Sequence, residues 1–249
     1  MESETSTSRS QGTPPRSAGG SSRGERRRKR TEDAIVAAAE GIFLEHGYRG
    51  ARIEAIAERA DVAVGSIYGH FGGKDGLYAA LTQRSLELFD GYMAAARDPD
   101  LRPIEQLLAT GDAYMRLHIE HPGAFRFIAL SGVELQMHEL DQEIREQLET
   151  GLESILGNFE EVIAAGIAAG EIRGHDPHRI MTFLWGAWNG VAALSMRVDR
   201  LALGAQDVAA TLELGRRIVT EGLADGSARA PDGSLAPSVR VVEVKPEGL

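Results

Sequence analysis

Residues 53–71 read IEAIAERADVAVGSIYGHF, and the fold is decided by how this stretch is parsed. Ile53, Ile56, Ala57 and Ala60 fall at i, i+3, i+4 and i+7, one face of a short helix. Asp61 and Val62 interrupt the pattern. A second short helix starts near Ala63 or Val64 and ends at Phe71, because Gly72 and Gly73 follow at once. Two short helices around a tight turn form a helix-turn-helix, whose second helix enters a DNA major groove. The same corner also occurs as plain packing geometry in α-helical proteins, so the faces matter. Val62, Ile67 and Phe71 share an inward side, which leaves Val64, Gly65, Ser66, Tyr68 and Gly69 outside. That outer face is small, neutral and smooth, and its glycines let the helix backbone approach a groove floor. Val64 suits a thymine methyl, Ser66 a base edge or phosphate, and Tyr68 a phosphate and its sugar.

From Thr31 to Leu77 the chain resembles the DNA-binding domain of the TetR family of transcriptional regulators. The shared features are an amphipathic first helix ending in Gly47-Tyr48, then Ile53, Ile56-Ala57, Ala60, Val62, Gly65, Tyr68, His70-Phe71, Lys74-Asp75 and Leu77. The run GSIYGHFGGKDGL, residues 65–77, is the most specific part. The resemblance implies an all-α chain, with an N-terminal three-helix DNA-binding domain and a C-terminal helical domain for ligand binding and dimerisation. It also implies a homodimer on a palindromic operator, a small-molecule effector and action as a repressor. His70 and Lys74 join the DNA-facing set by their match to the family motif. Departures from the family pattern are Ala51-Arg52 in place of Thr-rich positions, Asp61 in place of Gly, and Ala63 in place of Ser. Ala63 removes a helix cap worth about 1 kcal/mol, and Asp61 is the expected substitute.

A net charge of −10 looks wrong for a DNA binder until its distribution is read. Residues 1–30 carry eight basic and three acidic side chains, a balance of +5, so the other residues hold −15. Non-specific attraction to phosphate is therefore concentrated just before the first helix, where Arg27, Arg28 and Arg30 are the chief candidates. Residues 1–30 are expected to be a disordered basic arm, being poor in large apolar side chains. Residues 31–76 form the DNA-binding domain and 77–223 the helical domain. Residues 224–249 form a tail in which only Val239 to Val244 alternates, and disorder is expected there too.

Thr31 reads as the cap of the first helix, with Ile35, Ala38, Ala39, Ile42, Phe43 and His46 as its buried stripe. Arg52 and Lys74 sit at helix starts, where charge and helix dipole together suit a phosphate. A fourth helix from Lys74 to about Ala96 ends before DPDLRP, residues 98–103. Helical patterns follow over about 103–120, 124–131, 138–169, 177–197 and 205–223. The helix carrying Trp185 and Trp188 is apolar on most sides, so a second subunit is expected to cover it through residues 177–223. Met115, His118, Phe125, Phe127, Trp185 and Asn189 are the candidates for an effector pocket that favours an apolar or aromatic compound.

The chain has no cysteine and no apolar run of membrane-spanning length, and its N-terminus lacks a signal-peptide core, so a cytoplasmic location is expected. His118 with His121, and His175 with His178, are weak as metal pairs. There is no phosphate-binding glycine loop, nucleophile elbow or HExxH. No catalytic residues, metal ligands or cofactor are expected, and the chain does not read as an enzyme. The alternative is a small-molecule-binding protein of the same fold without operator-specific regulation.

Overall fold

The computed structural model describes residues 23–134, 142–197 and 199–244. The described chain is built from helices: α1 (Arg23–Gly50), α2 (Ile53–Arg59), α3 (Val64–Phe71), α4 (Lys74–Ala95), α5 (Pro103–Glu120), α6 (Pro122–Glu134), α7 (Gln142–Ala168), α8 (Pro177–Ala193) and α9 (Ala205–Leu223). Helices α1 to α3 form the head. The start of α4 packs on α1 and α3, and its body packs on α5, α6 and α7. Helix α4 is continuous across residue 76, so the expected boundary there falls inside one rigid element. Helix α5 runs through the second domain between α4, α7 and α9.

An aromatic cluster joins the two domains. The Tyr78 ring meets Phe43 at 5.1 Å, Tyr48 at 5.2 Å and Phe127 at 5.6 Å between centroids. Helices α1, α4 and α6 each contribute to it, so head and body share one core.

Several expectations need correction. Residues 23–30 are helical rather than disordered, as the first two turns of α1. Extending an existing helix costs less than nucleating one, and Arg28 bonds Glu32 one turn on at 3.1 Å. Thr31 is therefore inside α1 and not its cap; its hydroxyl donates to the Arg27 carbonyl. His46 continues the stripe of Ile35, Ala39 and Ile42 but is exposed, since it stands in the last turn before the break at Gly47. Gly47, at φ +67°, breaks the helical path as expected of a terminal glycine. The expected disorder of residues 1–22 and 245–249, and the start of α7 near His138, lie outside the described residues.

The tail is the largest departure. Residues 224–244 form an irregular strap, opening with a 3-10 turn at Gly226–Ala228 and a reversal bridged by Arg229 and Leu235, whose end is bonded to α5. Arg240 N donates to Glu105 Oε1 at 2.8 Å, and its guanidinium reaches Glu105 Oε2 at 3.1 Å. Val244 N donates to Asp112 Oδ2 at 2.7 Å. Ala228, Val239 and Val244 are buried. Composition weighed the tail's own apolar content. It did not weigh the two carboxylates that α5 offers to the tail's backbone.

Candidate DNA-binding face and interior cleft

The turn between α2 and α3 is closed by backbone bonds. Asp61 takes φ +53°, the left-handed conformation that Asp tolerates. Asp61 N then reaches Glu58 O at 3.2 Å, and Val62 N reaches Ala57 O at 3.0 Å. Ala63 occupies the cap position of α3 with no side-chain bond, so Asp61 shapes the turn but does not supply the missing cap. Gly72, at φ +74°, ends α3 by donating to Tyr68 O. Ile67 is fully buried and anchors α3 on the head, with Val62 and Phe71 partly buried beside it.

The outer face of α3 is open. Tyr68 and Val64 are exposed. A methyl group added at Gly65 or Gly69 would meet nothing within 4 Å. The chain's own packing therefore does not demand glycine at either position. Ser66 and His70 turn toward α1 and, with Arg27, Arg28 and Thr31, line an open groove of about 510 Å³ between the arm and α3. Arg30 is exposed on the same turn of the arm. Ser66, His70, Arg27 and Arg28 are thus gathered about one groove, while Val64, Gly65 and Tyr68 stand exposed elsewhere on α3.

Two expected phosphate ligands are placed differently. Arg52 is exposed at the start of α2 and loosely paired with Glu54 at 3.6 Å. Lys74 turns inward: its ammonium donates to Ala51 O at 3.1 Å and Arg49 O at 3.4 Å, and lies 4.5 Å from the Tyr48 ring centre. These contacts clamp the start of α4 to the end of α1, so Lys74 positions the head. His70 is partly buried, with Nδ1 at 2.9 Å from Glu32 Oε1.

In the second domain a narrow apolar cleft of about 10 Å³ lies among Phe89, Met93, Tyr114, Phe159, Trp185 and Trp188. Trp185 Nε1 is buried with no hydrogen-bond partner among the described residues. Of the six expected pocket residues, Trp185 alone lines this cleft. Asn189 and Phe125 stand one layer behind it, Asn189 accepting from the Tyr114 hydroxyl and Phe125 packing edge-on to the same ring. His118 rests against Phe125 at 4.7 Å; burial holds its imidazole pKa below the usual value, and its Nδ1 also lacks a partner among the described residues. Met115 is half-buried at the edge of the core. Phe127 belongs to the interdomain cluster instead, since it faces Phe43 and Tyr78. Sequence reading missed Phe89, Met93 and Tyr114, whose periodicity marks them as core and cannot say which core positions border a void.

Residues 35–81 match the family described as bacterial regulatory proteins of the tetR family, and residues 100–193 match a tetracyclin repressor-like C-terminal domain. The chain belongs to the TetR family. Among its relatives, the HTH-type transcriptional regulator RutR of Escherichia coli K12 is 27% identical over 201 residues, covering 76% of this chain and 89% of RutR. The transcriptional repressor SCO4008 of Streptomyces coelicolor is 32% identical over 117 residues, covering 47% of this chain and 57% of SCO4008. A tetR-family regulatory protein from Rhodococcus RHA1 has a similar fold, with a TM-score of 0.64 and 24% identity over 78% of this chain and 98% of its own. AibR, solved with isovaleryl coenzyme A and operator DNA, aligns at a TM-score of 0.60 and 20% identity over 74% of this chain and 97% of its own.

The two family matches frame what is particular to this TetR-family chain. They cover α2, α3 and α5 to α8. The helical arm before Ile35 and the strap after Leu223 lie outside both.

Proposed function

We propose that this TetR-family regulator is a repressor that binds a palindromic operator as a homodimer and is released by a small apolar or aromatic effector. The open face of α3 carries the reading. Gly65 and Gly69 leave a smooth surface that the subunit itself does not use, beside a groove lined by Arg27 and Arg28. A groove floor fits against such a face, and the arginines neutralise the flanking phosphates. Val64, Ser66 and Tyr68 then meet base edges or backbone, and Arg30 and Arg52 lie at the margins.

The dimer is supported by what α8 and α9 leave uncovered. Phe183, Leu214 and Ile218 are exposed apolar side chains. Gly186, Ala187 and Gly190 are exposed on α8 opposite its buried Leu184 and Trp188. Small residues flanking a large apolar one suit close helix packing against a second copy.

The effector reading rests on the cleft at Trp185. At about 10 Å³ it is at the lower limit for a single water, so a ligand must move Phe89 and Met93 of α4 to enter. Helix α4 also carries Leu77 and Tyr78 into the head. Displacing α4 changes the spacing of two heads, which is a coupling free energy between effector and DNA. The unpartnered Trp185 N–H favours an effector with an acceptor group on an apolar body. AibR, of similar fold, is seen with both isovaleryl coenzyme A and operator DNA, which supports a chain of this shape holding both kinds of partner.

The test is titration of the full chain against the DNA upstream of its own gene and against a scrambled duplex, at two salt concentrations. Preference for the upstream DNA that survives the higher salt is expected. Equal binding to both duplexes, erased by salt, would reduce the activity to the basic arm alone.

A further inference from the structure

Glu32 stands behind the groove between the arm and α3, bonded to two of its lining residues, and its sign is wrong for a surface that meets phosphate. Glu32 Oε1 lies 3.1 Å from Arg28 Nε and 2.9 Å from His70 Nδ1. Both partners line the groove. The carboxyl is held below the usual carboxylate range by the hydrogen bond from His70 and then by that from Arg28. It is therefore an anion at neutral pH, and an ionised carboxylate only accepts hydrogen bonds. His70 must then carry its proton on Nδ1, which leaves Nε2 as the ring atom for a further partner. Arg28 is engaged through Nε, which leaves the terminal nitrogens of its guanidinium for a bidentate contact.

We propose that Glu32 is a positioning residue for operator binding: it fixes the ring of His70 and the guanidinium of Arg28 so that both meet phosphates beside the bases read by α3. The inference rests on the DNA-binding reading above. It differs in sign from what electrostatics alone demands. A bystander acid near phosphate repels DNA, so its removal strengthens binding. A positioning acid is worth more than its repulsion, so its removal weakens the specific complex.

The experiment uses the full chain and a duplex that the wild-type protein selects from a random-sequence library, with a scrambled duplex as control. Glu32→Ala is expected to weaken binding to the selected duplex about tenfold or more, while binding to the scrambled duplex is unchanged or tighter. Glu32→Gln keeps an acceptor oxygen for the same two donors and should stay within about threefold of wild type on the selected duplex. In a His70→Ala, Arg28→Ala background, Glu32→Ala should cause no further loss, because partners in one network are not additive. Equal thermal unfolding midpoints separate these effects from misfolding. A wild-type chain that selects no sequence overturns the DNA-binding reading and this inference with it. Specific selection by wild type, with Glu32→Ala binding as tightly or more tightly, overturns this inference alone.

Discussion

Helices α3 and α5 answer differently the question of what covers a helix. Only Ile67 of α3 is fully buried, and the opposite side stands open over Gly65 and Gly69. In α5 every residue from Ile104 to Tyr114 except Gln106 is buried, two carboxylates included. Part of that cover is supplied by the chain's own tail, through Val239, Arg240 and Val244. A helix with a vacant smooth face is built to meet a partner from outside. A helix whose polar groups are already satisfied by a strap is built to be held. On the proposed reading, the first property serves recognition, and the second supplies the frame against which α4, and with it the head, moves.

Removing the strap is the largest test of that contrast. A chain ending at Leu223 uncovers α5, leaves Glu105 and Asp112 without the tail's donors, and returns Val239 and Val244 to water. Burial of each valine is worth about 1.5–3 kcal/mol, so a loss of about 3–5 kcal/mol in unfolding free energy is expected by denaturant titration. A loss below 1 kcal/mol would show that the strap merely rests on α5. The matching test on α3 is Gly65→Leu. Since nothing inside the subunit lies within 4 Å, stability should be unchanged or slightly raised, glycine being a poor helix former. Operator affinity should fall roughly 10- to 100-fold, the equivalent of about 1–3 kcal/mol of overpacking. An unaffected operator complex would mean that the open face is not where DNA sits. A smaller effect is expected of Trp185→Phe, which keeps the cleft's apolar wall and removes the indole donor. Effector affinity, followed by release from operator DNA, should drop about 5- to 10-fold, the worth of one hydrogen bond, with operator affinity untouched.

The head was legible in the sequence because its signals are local. The run from Ile53 to Phe71 carries its own punctuation at Asp61 and Gly72, and the structure places α3 at Val64–Phe71 as that spacing predicts. The bounds of α5 and α9 were equally readable from Pro103 and the apolar period of the last helix. Features set by distant partners were not. The arm is helical partly through Glu32, and His70 turns toward the same carboxylate from 38 positions away. The tail's order depends on Glu105 and Asp112, each more than a hundred residues earlier. The pocket suffered from the same blindness: an aromatic at helical spacing is marked as buried, but its destination is not marked. Phe127 went to the domain junction, and Tyr114 and Phe89 went to the cleft.

The two carboxylates under the strap sharpen the contrast further, because they titrate in opposite senses. Burial pushes the Glu105 carboxyl up, but bonds from the Arg240 and Arg102 backbone and the Arg240 guanidinium outweigh it and hold the pKa below the usual carboxylate value. The stability contributed by such a lowered group is present above its unfolded pKa and is lost as pH falls through the folded one. At Asp112 burial wins over the Val244 N–H and the charges of Arg116 and Arg216, and the pKa is raised. Its contribution is present below the unfolded pKa and is lost as pH rises through the folded one. Glu105→Gln should therefore cost about 1–3 kcal/mol at pH 7, and the difference from wild type should shrink as acid protonates Glu105 itself. Asp112→Asn keeps an oxygen for Val244 N–H and removes a buried charge, so it should change stability by less than about 1 kcal/mol and in the stabilising direction. Thermal unfolding of both variants at pH 7 and near pH 4 checks the pair. If Asp112→Asn destabilises the chain as much as Glu105→Gln at pH 7, the ionised Asp112 is itself a favourable anchor, and the strap is held by two charges rather than one.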